Sequence, residues 1–156
     1  MTIKEKKEVL EANKWIVKKG LVELTWGNVS VIDRDKQVVL IKPSGVDLDN
    51  AVEENISELT LGGAGISGLK PSVDTPTHLF LYKKFPDIKS IVHTHSKYCT
   101  IFAQAAMPIP CLGTTHADYF YGTVPCAPHP NKQQVKADYE FNTALQIYEH
   151  FRQNEI

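Results

Sequence analysis

Pro71-Ser72-Val73-Asp74-Thr75-Pro76-Thr77-His78 is followed, beyond Phe85, by Ser90-Ile91-Val92-His93-Thr94-His95. Pro76 suits the first turn of a helix, and apolar Leu79, Phe80, Leu81 and Phe85 carry that helix over Thr77 to Phe85. Ser90 to His95 then reads as a short strand. Residues two apart on a strand point to one face about 6.5 Å apart, so His93 and His95 can converge on one ion. Zinc or manganese would accept such imidazoles, with further ligands drawn from elsewhere. Two histidines at a strand end with ordinary hydrogen bonds are the competing reading. Asp74 has two readings as well: with Thr75 it caps free N–H groups, or it serves as an oxygen ligand or base beside a metal. Ser72 and the helix-end amides offer donors to an anion.

Towards the N-terminus, apolar Val9, Leu10, Ala12, Trp15, Ile16 and Val17 predict an amphipathic helix over Thr2 to Lys19, closed by Gly20. Leu21 to Leu24, Val29 to Ile32 and Val38 to Ile41 read as β-stretches of a hairpin or meander. Gly27-Asn28 and Ser44-Gly45 punctuate them. Each pair suits a turn, and each also brings backbone N–H groups within reach of a phosphate, with Lys42 supplying charge. Leu61 to Leu69 is a loop or irregular hairpin.

Towards the C-terminus the pattern predicts a helix over Tyr98 to Ala106, a short strand near Val124 and a last helix from about Gln133 to Arg152, its tail running to Ile156. The whole reads as mixed α and β elements around one sheet. Gly113 to Gly122 concentrates His116, Asp118, Tyr119 and Tyr121, either as a catalytic or binding loop or as a partly buried loop whose polar groups satisfy the backbone. Lys132, Lys136, Asp138 and Glu149 are read as the solvated face of the last helix.

The chain has 156 residues, with 17 Lys+Arg against 18 Asp+Glu, a size that suits a single domain over 1–156. Its near-neutral balance excludes a long-range grip on nucleic acid or an anionic membrane. Cys99, Cys111 and Cys126 lack CxxC spacing, which argues against a disulfide framework or thiolate zinc site and for buried thiols in a reducing compartment. No apolar run reaches the ~18 residues of a membrane span, so a cytoplasmic protein is expected.

Taken together, Leu24-Thr25-Trp26-Gly27-Asn28-Val29-Ser30, Ile41-Lys42-Pro43-Ser44-Gly45-Val46, Pro71 to His78, Ile91 to Ser96 and Gly113 to Gly122 resemble, in order and spacing, the class II aldolase/epimerase family, specifically its pentulose-phosphate 4-epimerases. The resemblance covers nearly the whole chain. It implies a three-layer αβα fold of the α/β class with a mostly antiparallel central sheet. The divalent ion, zinc or alternatively manganese, falls on Asp74, His93 and His95. Sugar-phosphate contacts fall on Gly27, Asn28, Lys42, Ser44, Gly45, Ser72 and Val73, the last replacing a serine usual in the family. The catalytic acid/base falls on Asp118, and His116 and Glu140 are supporting positions.

The implied reaction is C4 epimerisation of L-ribulose 5-phosphate to D-xylulose 5-phosphate by retro-aldol cleavage and re-addition. The aldolases of the family usually carry Glu at the position of Asp74 and lack the run around Asp118, which favours the epimerase. A class II phosphosugar aldolase and a non-catalytic metal- or phosphosugar-binding remnant are the alternatives. The family also places a third metal histidine and an opposing tyrosine, from a neighbouring subunit of a homotetramer, in a C-terminal third with no counterpart here. The resemblance therefore implies a truncated epimerase with impaired activity.

Overall fold

The computed structural model describes residues 1–153; the expected helix tail at 154–156 lies outside the described residues. The chain forms two compact units, one spanning Met1–His95 and the other beginning at Ser96.

The first unit opens with α1 (Ile3–Lys18), capped reciprocally by Thr2 and Glu5: Glu5 N–H donates to Thr2 Oγ1 at 3.2 Å, and Thr2 N–H donates to the Glu5 carboxylate at 2.6 Å. Its buried face is Lys6, Val9, Leu10, Asn13 and Ile16, at helical spacing. Five strands follow: β1 (Asn28–Asp33), β2 (Val38–Ile41), β3 (Ser57–Thr60), β4 (Gly65–Ser67) and β5 (Ser90–His93), with α2 (Thr75–Lys84) between the last two. They form one sheet in the order β4-β3-β2-β1-β5, antiparallel throughout.

The strand period of two makes this unit three-layered. Leu40 packs with Val9 and Leu10 of α1, and Val31 opposite it joins that cluster from its edge. Val39 and its partner Ile32 point the other way and pack with Leu79 and Tyr82 of α2. Val39 and Leu40 are both 0% exposed, and burial of each such side chain contributes roughly 2 kcal/mol.

Polar contacts fix both helices to β1. Asn13, buried in α1, accepts from Val29 N–H at 2.8 Å and donates to Val29 O at 3.2 Å and Val9 O at 2.8 Å. Because β2 ends at Ile41, opposite Ser30, Asn13 supplies the pairing that a further strand residue would have given Val29. On the opposite face Ser30 Oγ lies 2.7 Å from His78 Nδ1 and 2.8 Å from the Tyr82 hydroxyl, all three buried. Arg34 holds the far end of α2 by donating to the carbonyls of Tyr82, Phe85 and Ile88 at 2.7–2.8 Å. Near the β3–β4 edge, buried Glu58 pairs with Lys6 at 3.1 Å and accepts from Ser67 and the Met1 ammonium.

Several expectations need correction. Leu21 to Leu24 is not a strand: Leu24 has φ +52° and is 81% exposed, while Leu21 O accepts from His95 N–H at 3.0 Å. The helix expected over Thr77 to Phe85 begins at Thr75 and ends at Lys84. β5 stops at His93, so His95 follows the strand instead of lying on it.

The second unit contains α3 (Lys97–Gln104), α4 (Thr114–Tyr119), α5 (Lys132–Ala137) and α6 (Tyr139–Gln153). The expected loop around Asp118 is α4. The strand near Val124 is a single bridge to Ile109. The last helix is two, because Asp138 adopts φ −162° and ψ 99° and its carboxylate accepts from Phe141 N–H at 3.0 Å; Asp138 is a cap. The thiols are not buried: Cys99 is exposed, and Cys111 and Cys126 are partly so. No helix among the described residues is long and apolar enough to cross a membrane.

The contacts of β1 can be tested through stability. Asn13→Ala orphans both peptide groups of Val29 and is expected to cost about 2–4 kcal/mol in urea unfolding. Burial, opposed by Asp74 and reinforced by His93, lowers the His78 pKa to about 4. The unfolded chain therefore takes up this proton first, near pH 6.5, so stability is full above that pH and falls as pH drops towards 4. The loss is about 3 kcal/mol. Urea titrations between pH 7 and 4.5 should display this limb in the native chain and a flatter one in His78→Gln.

Candidate active site

β1 and β5 pair with Asn28 opposite His93, so the two side chains share the sheet face that α2 covers. Asp74 stands at the N-terminal end of α2, with its O accepting from His78 N–H at 3.1 Å in the first turn. Its carboxylate is thereby brought onto both strand residues. Asp74 Oδ2 accepts from Asn28 Nδ2 at 2.6 Å and lies 3.1 Å from His93 Nδ1. Asp74 therefore makes no side-chain hydrogen bond to its own helix end; the carboxylate faces the sheet.

The pairing at Asp74 has an electrostatic consequence. The His93 hydrogen bond, reinforced by its charge and by Asn28 against the opposing effect of burial, lowers the Asp74 pKa to about 2. The His93 and His95 rings are 4.9 Å apart between centroids, and the Trp26 ring lies 5.6 Å from that of His95. Burial, then His93, lowers the pKa of His95, with Asp74 opposing.

A second wall comes from a bridge between Pro43 and Pro71, which sets the two Pro-Ser dipeptides side by side. Ser72 N–H donates to Lys42 O at 3.0 Å and Ser44 N–H to Lys70 O at 2.9 Å. Lys42 is 4% exposed and its ammonium donates to Thr25 O at 2.9 Å, with no carboxylate in ion-pair range among the described residues. Burial lowers its pKa, and Asp74 partly opposes this.

These groups line one cavity of about 410 Å³. All ten positions singled out in this unit border it: Gly27, Asn28, Lys42, Ser44, Gly45, Ser72, Val73, Asp74, His93 and His95. Thr25 and Trp26 line it too and were missed, although Trp26 stands beside Gly27 and Asn28 in sequence. The hydrogen-bonded pair Ser30 and His78 was missed as well; His78 lies one helical turn after Asp74, which is a readable signal. Among the described residues no group of three or more His, Cys, Asp or Glu side chains converges as a metal cage.

The other three positions belong to the second unit. His116 and exposed Asp118 are on α4, and half-buried Glu140 is in the first turn of α6. His116 Nε2 donates to Gly122 O at 2.9 Å, which fixes its tautomer.

Gly27 shows how closely the cavity floor is packed. With φ +79°, a Cβ there would lie 2.8 Å from His93 O and against the Val22 side chain. Gly27→Ala is expected to destabilise the fold by more than about 1 kcal/mol in thermal or urea unfolding.

Residues 7–154 match the class II aldolase and adducin N-terminal domain. A protein of Mycoplasma pneumoniae named "Probable L-ribulose-5-phosphate 4-epimerase UlaF" is 49% identical over 153 residues, covering 97% of this chain and 63% of that relative. Among solved structures, an L-fuculose 1-phosphate aldolase superposes with a TM-score of 0.76 at 30% identity, over 90% of this chain and 66% of the other. The L-fuculose-1-phosphate aldolase of Thermus thermophilus shares the fold, with a TM-score of 0.74 at 22% identity over 97% of this chain and 73% of the other. The three-layer arrangement and mostly antiparallel sheet agree with these neighbours, and the chain belongs to the class II aldolase/epimerase family.

Proposed function

We propose that this chain is a metal-dependent C4 epimerase acting on L-ribulose 5-phosphate in the cytoplasm. The observation that supports the reading is the gathering of all ten first-unit candidates around one cavity, with imidazoles at one wall and a buried ammonium at the other. The 49% identity to the Mycoplasma pneumoniae protein adds support for the epimerase within the family. The chain spans 63% of that relative's length, so the complete reaction is itself part of the proposal.

The donor set suits a divalent ion of the zinc type. Two imidazoles with neighbouring rings are ready ligands, and Asp74 is an ionised carboxylate beside them. His93 and His95 would hold the ion, with Asp74 adjoining, and manganese is the alternative. Such an ion would stabilise negative charge developing on the sugar oxygens.

The chain's own groups have distinct tasks in this reading. Lys42, Ser44, Gly45, the Ser72 hydroxyl and the backbone at Val73 would hold the phosphate, with Gly27 and Asn28 at the cavity floor. Asp118 would accept the C4 hydroxyl proton as the C3–C4 bond breaks, or return it after the aldehyde has turned over and the bond has re-formed. His116 and Glu140 would support it.

A class II aldolase is the second reading, favoured by the superposition on L-fuculose 1-phosphate aldolase. The test is incubation with L-ribulose 5-phosphate and Zn²⁺ or Mn²⁺. D-xylulose 5-phosphate is expected to form, and Asp118→Asn to slow its formation by about 10²–10⁴-fold. Net release of free aldehyde would favour the aldolase. Metal or phosphate binding without any turnover would favour the non-catalytic remnant.

A further inference from the structure

Asn28 is 1% exposed, and its hydrogen bonding is lopsided. Nδ2 donates to Asp74 Oδ2 at 2.6 Å and to Ser72 Oγ at 3.1 Å, while Oδ1 is buried with no partner among the described residues. An ionised carboxylate only accepts, so Asp74 determines which end of the amide faces it. A buried acceptor without a donor is unfavourable and offsets part of what the two donated bonds contribute.

What the asparagine does provide is a grip on the oxygen that His93 uses. Asn28 and His93 are register partners on neighbouring strands, and both approach Asp74 Oδ2 from the sheet. Oδ2 thus accepts from Asn28 Nδ2 at 2.6 Å and lies 3.1 Å from His93 Nδ1.

We propose that Asn28 is a positioning residue that acts through Asp74: it keeps Oδ2 on His93 Nδ1 and so fixes the tautomer in which Nε2 carries the lone pair for a divalent cation. The assignment rests on the reading of His93 as a metal ligand. It gives the Asn28 side chain a role at the imidazole wall of the cavity, distinct from phosphate contact. Partners of this kind commonly change metal affinity by about 10–100-fold.

The experiment compares the native chain with Asn28→Leu and Asn28→Ala after each has been checked for cooperative unfolding. Ring-nitrogen NMR of metal-free, ¹⁵N-labelled protein above pH 8, assigned with His93→Gln, should find His93 protonated at Nδ1 in the native chain and mixed tautomers in the variants. Zinc affinity, measured by competition with a chelator, should fall about 10–100-fold in both variants. Two variants that fold and keep both the native tautomer and the native zinc affinity would overturn the proposal, as would a native chain with no Nδ1 preference. The tautomer is read without metal. A native chain that failed to bind zinc would therefore sink the metal-dependent function, while the ring signals would still decide the role of Asn28.

Discussion

Asp74 Oδ2 is where β1, β5 and α2 are tied together. One oxygen accepts from Asn28 on β1 and faces His93 on β5, and its residue immediately precedes α2. Remove that carboxylate and the end of the helix loses its polar attachment to both strands, while His93 loses the group that orients it. Burial opposes ionisation of Asp74, but the His93 and Asn28 contacts outweigh it and keep the group charged far into the acid range. The same arrangement thus supports local architecture and cavity chemistry.

Why these contacts coincide is a matter of two periods. Along β1, alternate residues Asn28, Ser30 and Ile32 face α2, roughly 6.5 Å apart. Along α2, Asp74, His78 and Tyr82 recur at four-residue intervals, about 6 Å apart. The repeats are close enough for polar rungs to form in sequence: Asn28 with Asp74, then Ser30 with His78 and Tyr82, before Ile32 enters the apolar core. Buried polar contacts add little net stability, yet a one-residue slip of β1 would leave every rung unmatched. They specify register more than they add stability.

The sequence made the cavity more legible than the scaffold around it. Gly27-Asn28, Ser44-Gly45, Pro71 to Asp74 and His93 to His95 are compact motifs whose chemistry can be read locally, and all reach the same cavity. The αβα layering also followed from the family resemblance. What escaped depended on tertiary partners: Asn13 is a polar residue on an apolar helix stripe, and only the early end of β2 explains it. Leu21 to Leu24 has strand-like composition, but its backbone is occupied by a turn and by a bond to His95. Asp138 looked like a surface charge because helical periodicity runs through it, whereas its own backbone breaks the helix.

Val73, which stands where the family resemblance implies a second serine, bears on how an anion would be held. Val73 is 62% exposed and borders the cavity, so the substitution removes a hydroxyl without filling the site. The neighbouring Ser72 hydroxyl is already engaged: Asn28 Nδ2 donates to it at 3.1 Å, and it lies 3.4 Å from Asp74 Oδ2. Lys42 is differently placed, since its buried ammonium has three donors and Thr25 O takes one. In the proposed reading, then, anion affinity comes chiefly from the charge of Lys42 and the backbone N–H groups of Gly45 and Val73, because those of Ser44 and Ser72 already donate to Lys70 O and Lys42 O. Those are the features that a change from Ser to Val leaves intact.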